Sequence, residues 1–356
     1  MRIATIVGAR PQFIKAWAVS RHLCSRAEEI LIHTGQHYDE RMSAIFFEEL
    51  GMAPPDVNLR IGSGAHGEQT GRMLAAIETT LIERRPDCVL IYGDTNSTLA
   101  GALAAAKLKI PVAHVEAGLR SFNRRMPEEI NRILADRLSE TLFCPTDTAQ
   151  RNLSAEGIAD GVHVVGDVMH DALLAGQERA RALGITARPG VVAEGPYILA
   201  TIHRAENTDD PERLAGIVEA FLRVECAVVW PVHPRTRNRI AGATERRIAE
   251  AGNVRLIEPF SYLEMVAAES GAQAIVTDSG GVQKEAYILG VPCVTVRDET
   301  EWVETVATGW NTVVGADSER ILAALSAPPR PSARPNLFGD GHAAERIATI
   351  LVEGKA

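Results

Sequence analysis

Lysine is scarce in this chain: of 37 basic residues only five are Lys. Aromatic residues are few as well, at 5% of 356 residues. The five cysteines (Cys24, Cys88, Cys144, Cys226, Cys293) are odd in number and scattered, and no CxxC or Cys/His pair has metal-ligand spacing. A disulfide framework and a zinc site are therefore not expected, and a reducing cytoplasm fits best. No apolar run approaches the ~18 residues of a membrane span. The stretch Ile3–Val7 is too short, with Arg10 close behind, to read as a secretory signal. Low-complexity tracts are missing apart from a Pro/Ala-rich patch near Ser326–Pro335, which reads as a loop. Positive charge is not in excess either. The balance of 37 − 46 gives −9, which argues against nucleic acid or an anionic membrane as the main partner. An acidic protein that takes an anion must concentrate its cations locally.

What the chain does have is alternation. Short apolar runs recur at Ile3–Val7, Ile30–His33, Cys88–Tyr92, Val112–Val115, Thr141–Cys144 and Val162–Val165, with amphipathic segments such as Ser43–Leu50, Gly71–Arg84 and Glu128–Leu138 between them. A second series follows at Tyr197–Thr201, Ala227–Val232, Val254–Ile257, Ala274–Thr277, Cys293–Val296 and Thr312–Val314. Continuous apolar runs separated by helices are the pattern of parallel strands buried on both faces. The fold class is therefore α/β, with two doubly wound Rossmann-like domains facing across a cleft. The division is placed at 168, giving residues 1–168 and 169–340, with a C-terminal helix in 341–356 expected to pack back on the N-terminal domain, the other half being the alternative. The stretch Arg188-Pro189-Gly190 follows the first helix of the second part.

Chemistry-bearing residues collect where these strands end. Gly8-Ala9-Arg10-Pro11-Gln12-Phe13-Ile14-Lys15 joins the first strand to a helix. Gly8 allows a tight turn, Pro11 suits a first helical turn, and Arg10 and Lys15 bring two cations to a helix N-terminus. Asp94 follows the strand Cys88–Tyr92, where a helix cap is the plain alternative. Glu116 follows the strand Val112–Val115 and is harder to explain as structure, since carboxylates are rarely buried without partners. Arg120 is the cation near enough in sequence to make it a structural ion pair. Met126-Pro127-Glu128-Glu129 opens a helix with good capping chemistry, which accounts for at least one of the two acids. Three carboxylates on successive strand-end loops make a general acid/base set.

The second series supplies anion-binding groups. His203 and His233 each sit beside arginines at strand ends (Arg204; Arg235 and Arg237). His203 with Glu206 has too few ligands for a metal. The strongest phosphate motif is Thr277-Asp278-Ser279-Gly280-Gly281-Val282-Gln283-Lys284-Glu285-Ala286, in which a strand, a Ser-Gly-Gly turn and a helix bring backbone N–H groups to one point. A nucleophilic Ser279 is the competing idea, but this is not a GxSxG elbow. No Asp-x-Asp pair is available to hold a metal-bound diphosphate.

The segments GARPQFIK, TGQH, YGDTNST, HVEAGLR, MPEEINR, HRAEN, HPRTR and TDSGGVQKEA, in this order from residue 1 to about residue 315, resemble the non-hydrolysing UDP-N-acetylglucosamine 2-epimerases. The resemblance implies a GT-B type fold, a homodimer, and interconversion of UDP-GlcNAc and UDP-ManNAc without metal or nicotinamide cofactor. It implies anti elimination of UDP to a 2-acetamidoglucal, followed by re-addition. Asp94, Glu116 and Glu128 match the family's acid/base carboxylates, His203 its phosphate-side histidine and Arg10 its diphosphate-contacting arginine. Ser279, Gly280 and Gly281 match the diphosphate loop, and Glu285 the acid that holds the ribose hydroxyls. Many bacterial members bind a second, activating UDP-GlcNAc through Arg and Gln side chains after the Gln-His stretch. Here that stretch reads Gln36-His37-Tyr38-Asp39-Glu40-Arg41, so the resemblance does not carry that regulation over. HRAENTDD (203–210) and RDETEWVE (297–304) resemble a branch acting on UDP-2,3-diacetamido-2,3-dideoxy-glucuronate, which leaves the substituents at sugar C3 and C6 open. A hydrolysing 2-epimerase, a GT-B glycosyltransferase and a non-catalytic UDP-sugar sensor are the other readings.

Overall fold

The computed structural model describes residues 1–36, 47–186 and 195–354. The His37–Arg41 and Arg188–Gly190 stretches lie outside them, and of the Ser43–Leu50 segment only 47–50 is described, as helix. The chain forms two compact units, Met1–Ala175 with Phe338–Ala356, and Gly176–Leu337. The first unit runs past residue 168, ending inside the helix Val168–Ala182.

Each unit is built on one parallel sheet. The first contains β1 (Arg2–Val7), β2 (Glu28–His33), β3 (Val57–Asn58), β4 (Cys88–Tyr92), β5 (Val112–Val115), β6 (Thr141–Cys144) and β7 (Val162–Val164), in the order β3-β2-β1-β4-β5-β6-β7. The second contains β8 (Tyr197–Thr201), β9 (Ala227–Pro231), β10 (Val254–Ile257), β11 (Ala274–Thr277), β12 (Cys293–Thr295) and β13 (Asn311–Val313), in the order β10-β9-β8-β11-β12-β13. Each apolar run of the sequence is a strand. The addition is β3, a two-residue edge strand too short to carry any period.

The runs are unbroken because the central strands are covered on both faces. Every residue of β4 is 0% exposed, and Ile3 and Ile6 of β1 lie opposite Cys88 and Ile91 of β4. The Ala-rich helix Asn96–Lys107 seats close on this pair: a Cβ on Gly101 would come within 2.9 Å of Ile6 and 3.2 Å of Ile91. In the second unit Trp230 of β9 is fully buried and meets Phe221 edge-on at 5.4 Å.

In both sheets the strand order reverses at the centre, between β1 and β4 and between β8 and β11. Such a switch point leaves a crevice at the strands' carboxyl ends, where open α/β sheets bind ligands. The C-terminal helix Ala343–Glu353 belongs to the first unit, held by Ala344 N–H to Asp171 (2.8 Å) and by Arg26 to Thr349 (2.8 Å). Among the described residues no helix is long and apolar enough to cross a membrane.

Candidate active site

In the first unit the loops after β1, β4 and β5 converge. Gln12, 2% exposed in the first turn of the helix Arg10–Leu23, straps two of them together. Its side-chain oxygen accepts from the N–H groups of Gly8 (2.8 Å) and Ala9 (3.0 Å), and its amide donates to the Tyr92 carbonyl (2.7 Å) and Thr98 (3.0 Å). Gly8 is required here for space rather than for a turn: a Cβ would lie 2.0 Å from Ser97 Oγ and 2.3 Å from Thr34 Oγ1. One turn on, Lys15 is buried, and its ammonium is paired with the Glu116 carboxylate.

Glu116 therefore has a partner, but it is Lys15 and not Arg120. The Arg120 guanidinium is directed to Asp136 (2.7 Å) and Glu156 (2.7 Å). Residue 116 also adopts the left-handed region, φ 74°, a conformation that costs a non-glycine residue ~1–3 kcal/mol and clusters at functional sites. Its backbone N–H and that of Ala117 both donate to the Phe143 carbonyl (3.1 Å each), which holds the turn.

Asp94 lies on the neighbouring loop, ion-paired with Arg132. Burial raises its affinity for a proton; Arg132 opposes this, the nearby Glu116 adds to it, and Lys15 opposes it. The net direction is up. A capping role falls away, because Thr95 caps the helix Asn96–Lys107. Arg132 comes from the helix Pro127–Leu138, docked here by Asn131, whose amide donates to the Asp94 carbonyl (2.9 Å).

The two acids at the start of that helix separate cleanly. Glu129, 1% exposed, accepts from Ser121 N–H (2.9 Å) and hydroxyl (3.0 Å) and from Phe122 N–H (2.9 Å). It holds the preceding loop. Glu128 is exposed and stands one turn before Arg132, on the helix face that carries the partner of Asp94. Arg10 opens the helix Arg10–Leu23 with an exposed side chain.

In the second unit the organiser is Asp278, which in the sequence stands out only as part of the TDSGG motif. Fully buried at the end of β11, it accepts from His203 N–H (3.0 Å), Arg204 N–H (2.9 Å) and the Asn207 amide (3.1 Å). The loop after β8 is thereby tied beside the Ser279-Gly280-Gly281 turn. Ser279 caps the helix Gly280–Leu289. The His203 ring lies 3.4 Å from Asp278 and 6.4 Å, centre to centre, from His233. Burial pulls its proton affinity down against the pull of Asp278, and His233 and Arg204 add to the fall.

One of the expected cations does not join this set. Arg237 turns to Glu258 (3.0 Å), and the Arg235 side chain lies outside the described atoms. Lys284 is buried with its ammonium 4.7 Å over the Trp302 ring. Glu285, half-buried, stands against the fully buried Glu269 of the helix Tyr262–Gly271. Nothing in the sequence marks Glu269 out, nor the buried straps Gln12 and Asn131, since a polar residue on an amphipathic helix reads as solvated.

One unit thus carries a carboxylate pair with a buried lysine, and the other a histidine pair beside a helix N-terminus with two bare glycines. The chain as a whole is similar to known proteins. The chain is 52% identical over 354 residues to a UDP-N-acetylglucosamine 2-epimerase homolog of Methanococcus maripaludis, covering 99% of each. It is 50% identical over 363 residues to the UDP-2,3-diacetamido-2,3-dideoxy-D-glucuronate 2-epimerase of Pseudomonas aeruginosa, covering 99% of this chain and all of that one. The crystal structure of the Methanocaldococcus jannaschii UDP-GlcNAc 2-epimerase in complex with UDP-GlcNAc and UDP superposes with a TM-score of 0.84 at 45% identity, over 99% of each chain. The profile of one family, UDP-N-acetylglucosamine 2-epimerase, matches residues 21–352. The chain belongs to that family, the UDP-N-acetylglucosamine 2-epimerases.

Proposed function

We propose that this isomerase interconverts UDP-N-acetylglucosamine and UDP-N-acetylmannosamine. The observation that carries the reading is the convergence of Asp94, Glu116 and Lys15 at the switch point of the first sheet. The C2 proton of the sugar is weakly acidic, so its removal needs a placed base acting as UDP departs. In the forward step a carboxylate takes that proton. The C2–H electron pair becomes the C1=C2 bond of a 2-acetamidoglucal, and the C1–O pair leaves on the β-phosphate oxygen. In the return step that oxygen re-adds to C1, and a carboxylic acid delivers a proton to the opposite face of C2. The sum consumes neither water nor electrons.

Glu116, ion-paired with Lys15, suits the charged base in one direction. Asp94, whose proton affinity burial raises, suits the acid that returns the proton. Glu128 is the third member of the set. Arg10, His203, His233 and the N–H groups of Ser279, Gly280 and Gly281 take the diphosphate, where leaving-group charge develops, and Glu285 takes the ribose hydroxyls. The enzyme acts in the cytoplasm as a homodimer and supplies precursors for cell-surface polysaccharide.

A second substrate is favoured by one observation. The relative that is 50% identical acts, by its name, on UDP-2,3-diacetamido-2,3-dideoxy-D-glucuronate, and the segments 203–210 and 297–304 resemble that branch. A panel of UDP-sugars incubated in D2O and followed by proton NMR tests both. The expected result is a mixture of C2 epimers with deuterium at C2 and no added acceptor. Release of free N-acetylmannosamine would point to a hydrolysing enzyme instead, and acceptor-dependent turnover with C2 untouched to a transferase. No exchange at C2 with any UDP-sugar would remove the proposal.

A further inference from the structure

His114 is the middle of β5 and is fully buried. Its ring lies between two oxygens: Nδ1 is 2.8 Å from Asp136 Oδ1, and Nε2 is 2.7 Å from the Gly93 carbonyl. A carbonyl can only accept. The Asp136 carboxyl is pushed up by burial, but hydrogen bonds and charge from His114 and Arg120 outweigh this and hold it below the usual range. Asp136 also accepts from the Gly118 N–H (3.2 Å) and from Arg120 (2.7 Å). Each ring nitrogen thus stands within hydrogen-bond distance of an oxygen, one on either side.

What His114 holds is the peptide on which the reacting groups converge. Gly93 directly precedes Asp94, and its backbone is left-handed, φ 61°. Its N–H donates to the Val115 carbonyl (3.0 Å), next to Glu116. The side of Gly93 where a Cβ would stand faces Glu116 Oε2 at 3.1 Å and Lys15 Nζ at 3.5 Å. The ring's other partner, Asp136, accepts from the N–H of Gly118 just beyond Glu116. One imidazole thus ties the Asp94 turn and the Glu116 turn to a common anchor.

We infer that His114 is a positioning residue: through Gly93 on one side and Asp136 on the other, it fixes Asp94 and Glu116 relative to each other for proton transfer at C2. This rests on the functional reading above. Misplacing a reacting group by about 1 Å costs roughly 10–100-fold in rate, whereas contacts to the nucleotide, made elsewhere, are unaffected.

The test uses His114→Phe, which keeps the ring volume but can make neither hydrogen bond, and His114→Gln, which keeps a polar group able to make one. For the Phe variant kcat falls roughly 10–100-fold, and less for Gln, while KM and the Kd for UDP stay within about twofold of wild type. A sugar deuterated at C2 then shows a larger isotope effect on kcat than wild type, because proton transfer has become the slow step. A residue that only stabilised the fold would lower Tm without changing that isotope effect. Wild-type kcat and isotope effect in either folded variant overturns the inference, as does a loss confined to KM. If the Phe variant does not fold, the Gln variant decides by the same measures. Asp94→Asn is run alongside. Full turnover there removes the functional reading itself, whereas an inactive Asp94→Asn beside wild-type His114 variants removes only the role given to His114.

Discussion

At the scale of single residues the two central carboxylates do opposite things to stability. Asp94 binds its proton more tightly in the folded protein than the ordinary 3.8, because burial outweighs Arg132. Its contribution is therefore fully present below that ordinary value and is lost as pH rises through the raised one, so the charged form costs stability at neutral pH. Asp94→Asn cannot ionise: at about pH 7 it should melt above wild type, with the gap closing towards about pH 4, while kcat falls by ~10²-fold. Glu116→Gln lowers kcat similarly but strands Lys15, which is only 11% exposed at its side chain, and should lose about 1–3 kcal/mol. Thermal melts across pH, read beside turnover, check both, and a lower melting temperature for Asp94→Asn at neutral pH would contradict the first. Both carboxylates were legible in the sequence as acids at strand ends. Their partners were not. Lys15 is 101 residues from Glu116, and only the sheet order brings them together. Glu128 and Glu129 are indistinguishable as neighbours in a helical first turn, and only burial tells the loop-holding acid from the exposed one.

At the scale of elements, the helix Gly280–Leu289 separates geometry from function. A Cβ on Gly281 meets nothing nearer than Ser279 Oγ at 3.8 Å, whereas one on Gly280 would lie 2.3 Å from Glu301 Oε1. Gly281→Ala should therefore keep or raise Tm, since Ala favours helix over Gly by up to ~1 kcal/mol. If these N–H groups take the diphosphate, the added methyl should nonetheless weaken UDP binding by tenfold or more, read by calorimetric titration. Unchanged affinity would take the helix start out of the binding site. The helix Tyr262–Gly271 carries a different liability. Glu269 is fully buried, and burial, followed by the charge of Glu285, drives its proton affinity well above the ordinary 4.5. Folding then takes up a proton, and stability falls as pH rises from the ordinary carboxylate range towards the raised value. Glu269→Gln should flatten that decline and raise Tm most at the alkaline end, as melts from about pH 5 to pH 9 would record. An unaltered pH slope would mean that Glu269 is not the group taking up the proton. The strands themselves were legible because burial on both faces writes an unbroken apolar run. Edge strand β3 was not, because two residues carry no pattern.

At the scale of the whole molecule, the net charge of −9 and the two βα series identified the class of protein and argued against nucleic acid. The division between the units was less visible. It falls within a continuous helix, and a helix that crosses a boundary leaves no Gly- or Pro-rich mark there. The last helix joins the first unit, held by contacts such as Arg26 with Thr349 between residues 323 positions apart. This division of labour has a measurable consequence. The carboxylates belong to one unit, and the histidines and glycines proposed to hold UDP to the other. UDP at about a hundredfold excess over its Kd should stabilise the protein by about 2.7 kcal/mol, a rise in Tm that any binding-competent variant must show. Asp94→Asn and Glu116→Gln should retain most of this rise while losing turnover. Gly281→Ala should lose the rise together with affinity. If the carboxylate variants failed to respond to UDP, the acids would be part of nucleotide binding, and chemistry and recognition would not fall to separate sets of residues.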